Sequence, residues 1–301
     1  MRRVAVLFLV PMLARSADLA VDHVTVTGSD LKAMEARLSA LGIRYQYGGP
    51  HSNHATEMAL TSFPDGSYLE LMGIQPNADP QAVKGHYWSK QLQGDAGPTA
   101  WAVRPKDIAA EVKRLQAAGV TVSEPERSGR ARPDGVRLEW EASRVGAEPN
   151  GTFFPFLIHD FTPREQRAFP TGKPTTDVFS GVERVVIAVR DLNASIARYR
   201  KAYALPAPKE ARDMNFDARL AFFTGTPVVL ATPLSAASWI TARLARIGEG
   251  PCAFVLGTKV TTMNRFTPMG PFISGTTRSR WPGASVTWFS AENLGWHLGF
   301  E

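Results

Sequence analysis

The stretch Asp22-His23-Val24-Thr25-Val26-Thr27-Gly28-Ser29-Asp30-Leu31 decides the fold. Val24 and Val26 alternate with His23 and Thr25, the period-two pattern of a strand. Asp30 then starts an amphipathic helix that runs to Leu41 and stops at Gly42. The pattern returns around Asp107, where Thr99-Ala100-Trp101-Ala102-Val103 leads into a helix over 109–118 with a stop at Gly119. It returns around Asp191, preceded by the strand pattern of 182–189 and followed by a helix to Ala204. A degraded fourth copy starts at Cys252 and runs through Lys259 and Val260. Self-similarity of this kind marks a repeated supersecondary unit.

Strand-like segments follow each helix. After the first they cover 44–47, 57–63 and 67–73, with Pro64-Asp65-Gly66 as a turn. The later copies carry them at 136–142 and 152–160, at 220–223 and 227–231, and at 285–289 and 295–300. The unit therefore reads βαβββ, four times, and the fold class is α+β. The length of 301 residues suits two domains. Residues 162–176, with Pro163, Pro170 and Pro174, read as a linker between an N-terminal domain (17–161) and a C-terminal domain (177–301).

The start of the chain reads as a processing signal. Arg2 and Arg3 precede an apolar run over 4–13, and Ala14-Arg15-Ser16 offers small residues at a cleavage site. The run is too short to span a bilayer of about 30 Å. Residues 1–16 are thus expected to be a signal peptide, and the mature chain to be exported, periplasmic or secreted, with no membrane segment. Removing that signal lowers the formal charge from +6 to about +3, which weakens any case for an anionic partner. The basic run Arg127, Arg130 and Arg132 could touch an anion, but it has no interleaved aromatics, so nucleic acid is not expected. The single Cys252 excludes an internal disulfide. No P-loop, dinucleotide glycine fingerprint or nucleophile elbow is present. The expected partner is a small-molecule substrate or ligand. Four units in one chain complete two cups without a second copy, so a monomer or a homodimer is expected.

Four such units resemble the vicinal oxygen chelate superfamily, which includes glyoxalase I, extradiol dioxygenases and bleomycin-resistance proteins. Residues 19–161 are most similar to its glyoxalase-like domain family. The resemblance rests on Leu19-Ala20-Val21-Asp22-His23-Val24-Thr25-Val26, Gly48-Gly49-Pro50-His51, Thr56, Asp65-Gly66-Ser67-Tyr68-Leu69-Glu70-Leu71, Asp134-Gly135-Val136-Arg137-Leu138-Glu139-Trp140 and Phe154-Pro155-Phe156-Leu157-Ile158. Residues 180–300 resemble a second, more divergent domain of this type. Pro50, Met58 and His159 depart from the family pattern. The resemblance implies paired modules forming cupped mixed sheets, with helices outside and metal ligands on first and last strands.

Strand parity points to the same positions. His23 shares a face with Thr25, and Glu70 shares one with Tyr68, so both candidate ligands turn into the cup. By the repeat offset, Glu70 corresponds to His159 in the second unit, while Ala100, Arg184 and Cys252 stand where His23 does. His23, Glu70 and His159 are the expected metal set, a donor combination that suits Fe, Mn, Zn or Ni. A slip of one residue would turn His159 to the helix side. Glu70 and His51 are the candidate acid–base groups. His54, Tyr68, Arg137, Trp140 and Arg184 are candidate substrate contacts. Within 137–140, Arg137 and Glu139 alternate with Leu138 and Trp140, so one pair faces the cavity. The expected function is that of a glyoxalase- or dioxygenase-type metalloenzyme in the N-terminal cup; the alternative is a metal-free protein that sequesters a small molecule. Glu70 as a plain buried hydrogen-bonding carboxylate is the structural alternative.

Overall fold

A computed structural model describes residues 19–258 and 276–301. The signal-peptide residues, and Lys259 of the fourth copy, lie outside the described residues. The first module comprises β1 (Val21–Thr27), α1 (Leu31–Ala40), β2 (Gln46–Pro50), β3 (Thr56–Ser62) and β4 (Tyr68–Ile74). Short helices α2 (Pro80–Gly85) and α3 (Ser89–Gln93) lead to the second module. That module is β5 (Gly97–Val103), α4 (Ile108–Ala117), β6 (Glu126–Ala131), β7 (Arg137–Ser143) and β8 (Phe156–Asp160).

The proline-rich stretch contains α5 (Arg164–Ala168). The third module follows as β9 (Phe179–Ala188), α6 (Leu192–Tyr203), β10 (Lys209–Asp213), β11 (Ala218–Phe222) and β12 (Val228–Pro233). After α7 (Trp239–Arg246) come β13 (Gly250–Thr258), β14 (Thr277–Trp281), β15 (Ala284–Trp288), α8 (Ala291–Leu294) and β16 (His297–Phe300).

The repeat is visible in its caps. The side chains of Asp30, Asp107 and Asp191 accept hydrogen bonds from the backbone N–H of Ala33, Ala110 and Ala194, so each helix opens on the same Asp three residues before its donor. Each sheet has eight strands in equivalent order: β2-β3-β4-β1-β5-β8-β7-β6 and β10-β11-β12-β9-β13-β16-β15-β14. First and last strands of a module run parallel, as β1 with β4 does, and modules join through antiparallel first strands, as β1 with β5 does. The chain thus has the expected α+β architecture of two curled mixed sheets.

One apolar core runs between the sheets. Val24, Val26, Leu69 and Leu71 from the first sheet meet Val185, Ile187 and Phe254 from the second, together with Leu38, Val112 and Tyr199 from the helices. Among the described residues no helix is long and apolar enough to cross a membrane.

The concave faces differ. The C-terminal one is filled by Val186, Phe216, Phe222, Trp281 and Trp288, and α7 packs Ile240 and Leu244 into the same cluster. On the N-terminal one, small Ala100 and Ala102 pair with Thr25 and His23, which leaves space above the sheet. A cavity of about 490 Å³ occupies that space.

Candidate active site

His23, Tyr68 and Glu70 project into the N-terminal cavity from the paired strands β1 and β4. The register between β1 and β5 slips at Asp22, between Val21 and His23. Such a bulge re-aims a side chain and is common beside active sites. Parity alone would send Asp22 and His23 to opposite faces; with the slip, Asp22 Oδ1 lies 2.6 Å from His23 Nδ1.

Asp22 is fully buried, and burial alone would raise its carboxyl. The Arg167 guanidinium, the His23 hydrogen bond and Arg164 together outweigh burial and hold it well below the ordinary carboxylate range. Ionised Asp22 is an acceptor only, so Nδ1 of His23 carries the proton and Nε2 faces the cavity.

Both arginines come from α5, inside the stretch read from sequence as a linker. Arg167 donates from Nη1 to Asp22 Oδ1 (3.0 Å) and the Tyr68 hydroxyl (2.7 Å), and from Nη2 to Asp22 Oδ2 and Asp160 Oδ2 (both 2.9 Å). A planar guanidinium can serve two carboxylates at once, which an ammonium cannot match. Tyr68 in turn stacks on the imidazole of His23, with centroids 4.8 Å apart and planes 5° from parallel. Burial raises its hydroxyl above the usual range, so it remains a phenol.

Glu70 sits opposite. Its Oε2 accepts a hydrogen bond from Thr25 Oγ1 at 3.0 Å and lies 3.9 Å from His23 Nε2. Its Oε1 lies 4.0 Å from His51 Nε2. His51 reaches in from the loop after β2, with Nδ1 2.8 Å from Thr56 Oγ1. Burial lowers its pKa, and Glu70 opposes that only in part. His86, from the connection between α2 and α3, also lines the cavity. Its Nδ1 accepts the backbone N–H of Trp88 at 3.1 Å, and burial, with His51 adding, pushes its pKa down to about 4.

The expected metal set does not assemble. Leu157 of β8 is in the core while Phe156 and Ile158 line the cavity, so His159 turns to the far side. It lies beside Arg104, Lys106 and Arg164 in a separate surface pocket. The structural counterpart of Glu70 is Phe156, three residues before His159. Glu70 pairs with Thr25, two residues beyond His23, and Ala102, two beyond Ala100, pairs with Phe156. Among the described residues no group of three or more His, Cys, Asp or Glu is arranged to hold a metal ion. As placed among the described residues, the donors do not fit a resident divalent metal.

Other expected contacts divide cleanly. Tyr68, His51 and Trp140 line the cavity. Arg137 does not: it points away on the opposite face of β7 from Trp140, 72% exposed, and pairs with Glu139. His54 is exposed in the tip of its loop, with φ 56°, outside the cavity lining. Arg184 is on β9, where Glu301 neutralises it at 2.8 Å, so it is not free to hold an anion. Asp22, His86, Arg130 and Arg167 belong to the cavity or its support; the sequence marks Arg130 only as part of a basic run able to touch an anion, and the other three not as site residues. The Asp-His dipeptide carried a signal for Asp22; the other three come from connections and an edge strand that the repeat does not number.

The arrangement can move protons. A carboxylate and an imidazole of fixed tautomer approach to 3.9 Å in a partly enclosed cavity lined by polar and aromatic side chains, which is the requirement for paired acid–base work.

Comparison with solved structures matches this fold. A crystal structure of a hypothetical protein from Staphylococcus aureus aligns with TM-score 0.63 at 13% identity, covering 94% of this chain and 98% of that one. A triple mutant of 4-hydroxymandelate synthase from Streptomyces coelicolor aligns with TM-score 0.58 at 10% identity, covering 93% and 91%. Methylmalonyl-CoA epimerase from Mycobacterium tuberculosis aligns with 42% of the chain and 89% of its own length, at 20% identity and TM-score 0.34. The first two are likenesses of fold. No curated protein matches the chain. The glyoxalase-like domain matches residues 21–203, which include both strands of the His23/Glu70 pair and continue through α6. Over more than half its length the chain carries that domain, and it belongs to the glyoxalase-like domain family.

Proposed function

We propose that the N-terminal cavity catalyses proton transfer at a carbon beside a carbonyl in a small oxygenated molecule. This is glyoxalase-type isomerase or lyase chemistry carried by protein side chains. The observation that carries the reading is the 3.9 Å approach of His23 Nε2 to Glu70, with Nδ1 held by Asp22. Glu70 takes the proton from carbon. The electron pair of that C–H bond forms the enolate, and His23 Nε2, which carries no proton in this tautomer, takes that proton on from Glu70 across the 3.9 Å gap and delivers it to the enolate oxygen. Reversal at the neighbouring carbon completes an isomerisation, and loss of a leaving group there completes an elimination. Tyr68 and Arg167 hold the imidazole and its carboxylate in place. General acid–base groups of this kind contribute on the order of 10²–10⁴-fold each.

Deuterium uptake tests the reading. Small 2-hydroxy and 2-oxo carboxylates are incubated with the protein in D₂O and followed by proton NMR. The wild type is expected to exchange the proton beside the carbonyl of at least one. His23→Gln and Glu70→Gln should each lose about 10²-fold or more in that rate. Undiminished exchange in either variant would contradict the assignment.

The same proposal includes export. Residues 1–16 have the charge, apolar run and small residues of a signal peptide, so the mature chain should start at Ala17. Mass spectrometry of the protein recovered outside the cytoplasm reads that terminus directly.

A further inference from the structure

Arg130 is 8% exposed and sits on β6, where it pairs with Leu138, while its neighbour in register, Ser128, pairs with Trp140. Arg130 and Trp140 therefore project from one face of two adjacent strands into the cavity that both line. Nη1 of Arg130 donates to the Gly48 carbonyl at 2.7 Å. Among the described residues it has no ion pair with an Asp or Glu, and Glu70 acts on it from a longer range. The contrast with Arg167 is sharp, since Arg167 is equally buried and bound to two carboxylates. A buried guanidinium without a counter-ion is expensive to keep, and an acidic ligand would relieve that cost.

The surroundings describe the rest of the ligand. The rings of Trp140, Phe156 and Tyr87 line the same cavity. Phe156 stands edge-on to His23 with centroids 5.3 Å apart, so a flat body lying on Phe156 is beside the reacting groups. Trp88 is fixed at the cavity wall by its Nε1 donating to the Asn150 carbonyl at 2.8 Å.

We infer that the substrate is a planar carboxylate. Its carboxylate bridges to Arg130, and its flat body lies between Trp140 and Phe156. The inference rests on the reading of this cavity as the reaction site, and adds to it the chemical class that the site recognises. A single carboxylate matches one unpaired guanidinium. A phosphate dianion would bring more negative charge toward Glu70.

The test uses benzoate, benzamide, cyclohexanecarboxylate and phenyl phosphate as probes of the full mature chain, by calorimetry and tryptophan fluorescence. Benzoate is expected to bind one-to-one. Benzamide, which lacks the charge, and cyclohexanecarboxylate, which lacks the flat ring, should each bind at least about 10-fold more weakly, the scale set by losing one matched contact. Arg130→Met should abolish the preference for benzoate over benzamide, and Arg130→Lys should keep part of it. Equal binding of benzoate and benzamide overturns the inference. So does an unchanged preference in folded Arg130→Met or, if that variant does not fold, a preference in Arg130→Lys as large as that of the wild type. Tighter binding of phenyl phosphate replaces the carboxylate class and also overturns it. Binding and deuterium exchange are separate readouts. Loss of exchange with benzoate selectivity intact fells the catalytic reading alone; exchange without charge selectivity fells this inference alone.

Discussion

Asp22 Oδ1 lies 2.6 Å from Nδ1 of His23, its neighbour in sequence, at the bulged start of β1. That contact sets the imidazole tautomer, and through Arg167 it ties the first strand to α5 and to Asp160 at the end of β8. Asp22→Asn would leave Arg167 buried with half its compensation. A loss of about 3–5 kcal/mol is expected, the cost of breaking a buried ion pair by removing one partner. Denaturant unfolding measures it, and a loss under about 1 kcal/mol would contradict the role given to Asp22.

Acid should expose the same carboxylate. Its folded pKa is lowered relative to the unfolded chain, so below the unfolded value of about 3.9 the unfolded state binds more protons and stability falls with pH. Above that value the contribution is fully present. Wild type should therefore lose stability below about pH 4 more steeply than Asp22→Asn. Parallel acid profiles would show that the carboxylate is not held in this way.

His86 provides a site-specific pH reading. With its pKa pushed down to about 4, it is neutral in the folded protein across the range where an unfolded histidine, at about 6.5, takes up a proton. Unfolding then binds protons between those values, so His86 lowers stability as pH falls through that window. An NMR titration should place the His86 midpoint near 4. A midpoint close to 6.5 would mean that the ring is solvated rather than enclosed.

The filled C-terminal cup should answer to packing. Phe216 is 2% exposed and touches Trp239, Trp281 and Trp288. Phe216→Ala should cost about 3–5 kcal/mol of stability through lost burial and the cavity left behind. Benzoate binding in the other sheet should be unaffected, as measured by calorimetry on the folded variant. Loss of binding without loss of stability would contradict the division of labour between the sheets.

The parts legible in the sequence were local. Asp30, Asp107 and Asp191 announce three helices by the same cap, and the alternation around His23 and Glu70 places both in the cup. What escaped depends on long-range geometry. The bulge that brings Asp22 to His23 is a mismatch between two strands far apart in the chain. Arg167 returns to the site from a proline-rich stretch whose composition signals only a connection. The repeat offset does not place His159, because the connection between β7 and β8 is longer than that between β3 and β4, and parity then turns the side chain outward.

The central claim is that His23 and Glu70 act together in one proton transfer. The measurement that tests it is kcat/KM for the exchanging substrate in wild type, His23→Gln, Glu70→Gln and the double variant. Groups that work as a unit give non-additive losses. The double variant should fall no further than about 10-fold below the weaker single variant. Two single losses that multiply in the double variant, or a single variant with wild-type kcat/KM, would contradict the account.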